Sequence, residues 1–142
     1  ALREQGDEEE ALDVLLEWHA LGGHEPDALV QLIDDLRTAE RMDEAVPVME
    51  SLNWVMPYGT QVHRWLGEHY LEREQPELAL REFNALIGMQ VDDLAAAHLG
   101  KAQAMRLQGD EPAARREVIY ALESAPFYRP AQRLLLELSA GE

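Results

Sequence analysis

Apolar and polar positions along this chain repeat on two scales, the turn of a helix and a longer interval of about 34 residues. Ala11, Ala45, Ala79 and Ala114 stand 34, 34 and 35 residues apart, and four residues beyond each comes a larger apolar side chain, Leu15, Met49, Phe83 or Val118. Nine residues before the alanines are Leu2, Leu36, Tyr70 and Met105; twelve after them are Gly23, Pro57, Val91 and Pro126. An interval of this size marks stacked helix pairs, each too small to bury its apolar face alone. Gly6 and Gly109 share a column with Glu40 and Glu74, where a left-handed turn between paired helices is expected. Glycine enters that conformation freely and glutamate less so.

Helix signals divide the chain in the same way. Pro26, Pro76 and Pro112 fall where a first-turn proline is tolerated, and Asp7 ahead of Glu8, Glu9 and Glu10 reads as an N-cap followed by acids in the first turn. The pattern predicts helices over 8–21, 26–39, 42–54, 60–73, 76–88, 93–108 and 111–124. A closing helix is predicted over 128–139, with Leu134, Leu135 and Leu138 inward and Arg133 and Glu137 outward. Pro47 falls about a turn inside its helix and predicts either a late start near Asp43 or a local distortion. The extra residue of the 35-residue interval is expected between Gly88 and Asp93, because loops absorb insertions cheaply. Ala1 to Gln5 reads as the last turn of an A helix otherwise missing, so more protein is expected ahead of Ala1.

On these columns the chain resembles the tetratricopeptide repeat (TPR) family, whose unit is a helix-turn-helix of 34 residues. The third unit carries the resemblance best: Leu66-Gly67, Tyr70, Ala79 and Phe83 stand at the family's spacing. The family's early Trp is replaced by Leu29, His63 or His98, and its Leu-Gly by Leu32-Ile33 in the second unit and Lys101-Ala102 in the fourth. The resemblance implies an all-α fold, a right-handed α-solenoid of helix-turn-helix repeats with a C-terminal capping helix. It would be a single array over 1–142: a truncated repeat 1–25, repeats 26–59, 60–93 and 94–127, and the cap 128–139.

The resemblance also implies a non-catalytic interaction or scaffold module whose A helices line a concave groove for a peptide or protein segment. Helical spacing puts Asp27, Gln31, Asp34 and Arg37 on that side of the second unit. It puts Gln61, Arg64, Trp65, Glu68 and Glu72 there in the third, and Gln103 and Arg106 in the fourth. Trp65 beside Arg64 reads either as a ligand anchor or as packing against the preceding A helix. Family members that grip C-terminal carboxylates use Lys, Asn, Asn, Lys and Arg; the matching sites here hold Val30, Asp34, Trp65, Ala96 and Gly100, which argues against that clamp.

Composition narrows the partner. Twenty-eight acids against twelve bases give a formal charge of -16, which argues against a nucleic-acid surface; eleven of the bases are Arg and Lys101 is the one Lys. Residues 1–50 hold fifteen acids and three bases, residues 51–142 thirteen and nine. Such a distribution suits steering of a basic partner to the N-terminal end, and equally a high-salt cytoplasm or a GC-rich genome. No apolar run is long enough to insert in a membrane.

Candidate chemistry is sparse. With no Cys there is neither a disulfide framework nor a thiolate. Ser51, Ser124 and Ser139 lie in no Gly-x-Ser-x-Gly elbow, Gly100-Lys101 is followed by Ala102, and His24-Glu25 lacks a second ligand His. No cofactor or metal is called for. His63 and His98 occupy equivalent sites and read as packing residues, with a two-His metal or proton-sensing site as the rarer reading. Trp18 and Trp54, near B-helix ends, and Tyr120 and Tyr128 are likewise expected to pack. Two further readings stay open: a C-terminal accessory tail of a larger enzyme, such as a secreted metallopeptidase, and a self-associating module that dimerises through the N-terminal edge.

Overall fold

The computed structural model describes residues 2–140, apart from the side chains of Leu2 and Arg3. Among these residues the chain forms eight α-helices and no strand. They are α1 (Leu2–Ala20), α2 (Pro26–Thr38), α3 (Met42–Val55), α4 (Thr60–Glu72), α5 (Pro76–Gly88), α6 (Leu94–Leu107), α7 (Glu111–Ser124) and α8 (Arg129–Ala140). From α2 onward each helix matches its expected span to within one or two residues, the margin within which helix ends are defined. None of the described helices is long and apolar enough to cross a membrane.

The helices fall into two compact units, one ending at Gly59 and the other beginning at Thr60. In the first, α2 packs on α3 and α1 on α2. Its core is Leu12, Leu29, Leu32, Ile33, Leu36, Ala45, Val48, Met49 and Leu52, all buried. Removing one such leucine from water contributes about 1.5–3 kcal/mol. In the second unit α4 pairs with α5, α5 with α6, α6 with α7 and α7 with α8, while α4 also lies against α6. Phe83 of α5 is its wedge. A methyl group added at Gly100 of α6 would come within 2.3 Å of the Phe83 ring, and one at Gly67 of α4 within 2.8 Å, so both glycines make room for the aromatic. The closing helix α8 buries Ala131, Leu134 and Leu138 against Leu99, Ala102, Val118 and Ala121, leaving Leu135 half-buried and Leu136 exposed. Arg115 of α7 donates to the Leu138 carbonyl at 3.2 Å, tying down the end of α8.

Turns explain why the pairs form where they do. The left-handed column is realised at Glu40, Glu74 and Gly109, with φ of 57°, 54° and 82°. In each, the following amide reaches back five residues: Arg41 to Leu36, Gln75 to Tyr70, and Asp110 to Met105. Between units of the repeat the residue at the glycine/proline column decides. Ahead of Gly23 and Val91 the chain again turns left-handed, at Gly22 (φ 98°) and Gln90 (φ 53°). Ahead of Pro57 and Pro126 the proline ring forbids a helical conformation, and Met56 (φ -129°) and Ala125 (φ -145°) are extended. The connections over 21–25 and 89–93 have five residues, and those at 56–59 and 125–128 have four. At the starts of α6 and α7, Asp93 and Asp110 accept from Ala96 and Ala113 amides, each at 3.1 Å.

Three expectations are corrected. The helix expected to begin at Asp7 runs unbroken from Leu2, so there is no turn at Gly6, no cap at Asp7, and Asp7 to Glu10 lie inside a helix. Nothing approaches Gly6, and running the helix through it costs only the glycine's poor propensity, about 1 kcal/mol. The expectation for Ala1 lies outside the described residues. Pro47 does not end its helix: α3 starts at Met42, one residue from the expected Asp43, and passes through the proline. Trp54, read as a packing residue, stands 89 % exposed, and Tyr120 is exposed as well. Trp18 does pack, its ring lying where any side chain at Gly23 would be.

Candidate functional site

The eleven groove candidates divide between the units. In the first, Asp27, Gln31, Asp34 and Arg37 are all exposed along α2, with Gln31 bonded to Asp35 at 2.8 Å. In the second, Gln61 and Glu68 on α4 are exposed while Arg64 and Trp65 between them are half-buried. On α6, Gln103 and Arg106 are exposed. Arg106 meets Glu137 of α8 at 2.7 Å, so the capping helix neutralises the arginine at that end. Gln61, Arg64, Trp65 and Glu68 follow i, i+3, i+4, i+7 and, with exposed Glu72 a turn further on, form one stripe, on a helix that lies beside α6.

Two buried carboxylates lie on the core faces of the B helices, and the sequence reading passed over them. Glu82 of α5 is fully buried and accepts from His63 Nδ1 of α4 at 2.5 Å and from Arg81 at 2.6–2.8 Å. Burial alone would raise its pKa, but the bonds from His63 and Arg81 prevail and hold the carboxyl below the usual range. Glu117 of α7 repeats the arrangement with His98 of α6 at 2.7 Å and Lys101 at 3.3 Å. In both pairs the partners are nineteen residues apart. The same two columns in the first unit hold Leu29 and Val48, both fully buried. A readable signal existed: Ala79, Glu82, Phe83 and Leu86 follow core spacing, so the glutamate interrupts an apolar stripe. Both histidines do pack, as expected, but each is paired with a carboxylate. Among the described residues no three His, Asp or Glu side chains are grouped to hold a metal ion.

One side-chain pair bears on catalysis. His19 Nε2 of α1 stands 2.7 Å from Ser51 Oγ of α3, beside a hollow lined by Gly22, Gly23, His24, Glu50, Trp54 and Val55. Acyl transfer would need backbone donors aimed at a developing oxyanion. The Gly22 and Gly23 amides are engaged instead, donating to the His19 and Trp18 carbonyls at 3.0 Å.

Helix pairs joined by left-handed turns, in register every 34 or 35 residues, define an all-α helical-repeat protein of TPR-like fold. A solved structure similar to it is the MamA RS-1 ArsTM double mutant, a TPR-like helical-repeat protein, with TM-score 0.74 and 21 % identity over 96 % of this chain and 76 % of that one. No protein-family model matches the chain, and no curated protein matches it by sequence.

Proposed function

We propose that this chain is a non-catalytic protein-interaction segment that holds a peptide or protein strand on its A helices. The observation that carries the reading is the α4 stripe, where Arg64 and Trp65 lie side by side, partly accessible, between exposed Gln61 and Glu68. A planar cation beside an indole offers a charged bond and an apolar seat in one place, the pairing that dominates binding hot spots. Gln103 on neighbouring α6 extends the polar surface. On α2 of the first unit, Asp27, Gln31, Asp34 and Arg37 would serve the same purpose. Selecting a displayed peptide library on the wild type and on Arg64→Ala/Trp65→Ala tests this. Sequences enriched on the wild type should be lost on the variant; recovery of the same sequences on both would discard the α4 stripe as the binding surface.

A further inference from the structure

The first unit carries a hollow of about 350 Å³, at the low end for a small-ligand site, with room for one side chain rather than a folded element. Its walls are the C-terminal ends of α1 and α3 and the loop between α1 and α2, and Trp54, 89 % exposed, is its aromatic wall. Trp54 and His24 stand in columns that are exposed in every repeat. Ala20, Gly88 and Glu123 share the first column, and Tyr58, Asp92 and Phe127 share the second. The openness of this side therefore belongs to the repeat itself. Elsewhere the Trp54 column holds alanine, glycine or glutamate, so the indole adds apolar surface that no core position requires.

The polar groups beside the indole are acceptors. His24 Nδ1 lies 3.0 Å from the Gly22 carbonyl, which can only accept, so Nδ1 carries the proton and Nε2 of the neutral ring is an acceptor. Glu50 stands one turn before Trp54 on the same face of α3, and a carboxylate takes several bonds at once. Ser51 Oγ, 2.7 Å from His19 Nε2, adds a hydroxyl oxygen. Among the described residues no Arg or Lys lines the hollow, and residues 1–59 hold fifteen acids against three bases, so the local field favours a cation. A guanidinium answers each feature: its plane stacks on an indole, its forked N–H groups reach a carboxylate and an imidazole nitrogen together, and it has no acceptor to oppose them. A second hollow shares Gly22, Gly23 and His24 and continues past Trp18 and exposed Leu21, which extends the surface to a neighbouring residue of the same ligand chain. We propose that this hollow receives an arginine side chain presented by a partner polypeptide. The site lies on α1 and α3 and does not rest on the α4 stripe.

Three short peptides, identical except for Arg, Lys or citrulline at the centre, test this on the full chain by calorimetry and by NMR of the Gly22 and Gly23 amides. The arginine peptide should bind at least about tenfold more tightly than its citrulline twin, which keeps the plane and loses the charge, a difference of about 1.4 kcal/mol. The lysine twin, with charge and no plane, should fall between them. Trp54→Ala, at an exposed site, should abolish binding while the circular dichroism and melting temperature stay those of the wild type. Glu50→Gln should weaken the arginine peptide at least about fivefold and leave the citrulline peptide unchanged. Arg64→Ala/Trp65→Ala should bind as the wild type does, so this site and the α4 stripe stand or fall separately. Equal affinity for the arginine and citrulline peptides, a lysine peptide as tight as the arginine one, no affinity for any of the three, or binding that survives Trp54→Ala would overturn the proposal. So would acetyl-arginine amide binding as tightly as the peptide, since the occupant would then be a free guanidinium compound.

Discussion

Glu82 and Glu117 occupy core columns where α3 carries Val48, and each is held by a histidine in a column where α2 carries Leu29. Buried ion pairs gain little over an apolar pair of similar shape, but breaking one leaves a costly unpaired group. Glu82→Val alone deprives His63 of its acceptor and should destabilise the protein by about 1–3 kcal/mol in urea unfolding. Adding His63→Leu, which copies the first unit, should restore stability to the wild-type level or above it. A double variant no better than the single one would refute this. The pH dependence follows from the Glu82 carboxyl lying below its ordinary value. The unfolded chain takes up that proton first as pH falls, so the pair's contribution is whole above the ordinary pKa of about 4.3 and disappears below it. The stability of wild type relative to His63→Leu/Glu82→Val should therefore fall between pH 7 and pH 3. Glu40 and Glu74 offer a gain: a left-handed non-glycine residue costs about 1–2 kcal/mol, and Glu→Gly at either should raise the melting temperature after the glycine's own entropy of about 0.5–1 kcal/mol is deducted.

At the scale of elements, Phe83 lies where α4, α5 and α6 come together, and Gly67 and Gly100 leave it space. Gly100→Ala should cost about 1–3 kcal/mol by overpacking, and Phe83→Leu in the same chain should recover part of it; independent, additive losses would argue against direct crowding. Most element boundaries were legible, because prolines and left-handed turns act locally: Pro26 and Pro76 begin helices, and Glu40, Glu74 and Gly109 end them. The start of α1 was not. Gly6 has the right residue for a turn, yet α1 runs through it, because a glycine permits a left-handed turn without requiring one. Among the groove candidates, spacing placed the α4 stripe and left Trp65 open between exposure and packing; the half-burial of Arg64, which depends on neighbouring side chains, was not legible. The His–Glu pairs escaped for a related reason, since each joins residues nineteen positions apart on separate helices.

Over the whole molecule the acidity divides at the boundary between units, because 51–59 carry no charge: 1–59 hold fifteen acids and three bases, and 60–142 hold thirteen and nine. Self-repulsion is therefore concentrated in α1–α3. Raising salt should slow amide exchange there more than in α4–α8; uniform protection across both units would contradict it. Every A helix here resembles every other, and so does every B helix, so a folding chain risks joining a helix to the wrong partner one repeat away. The alternation of Leu29–Val48 with His63–Glu82 bears on that risk. Joining α2 to α5 would leave the Glu82 carboxylate facing Leu29, and joining α4 to α3 would set His63 against Val48, each stranding a polar group in an apolar interface. The two kinds of pair would thus act as an address, disfavouring the joining of α2 to α5 or of α4 to α3 while adding little to the stability of the correct pairs.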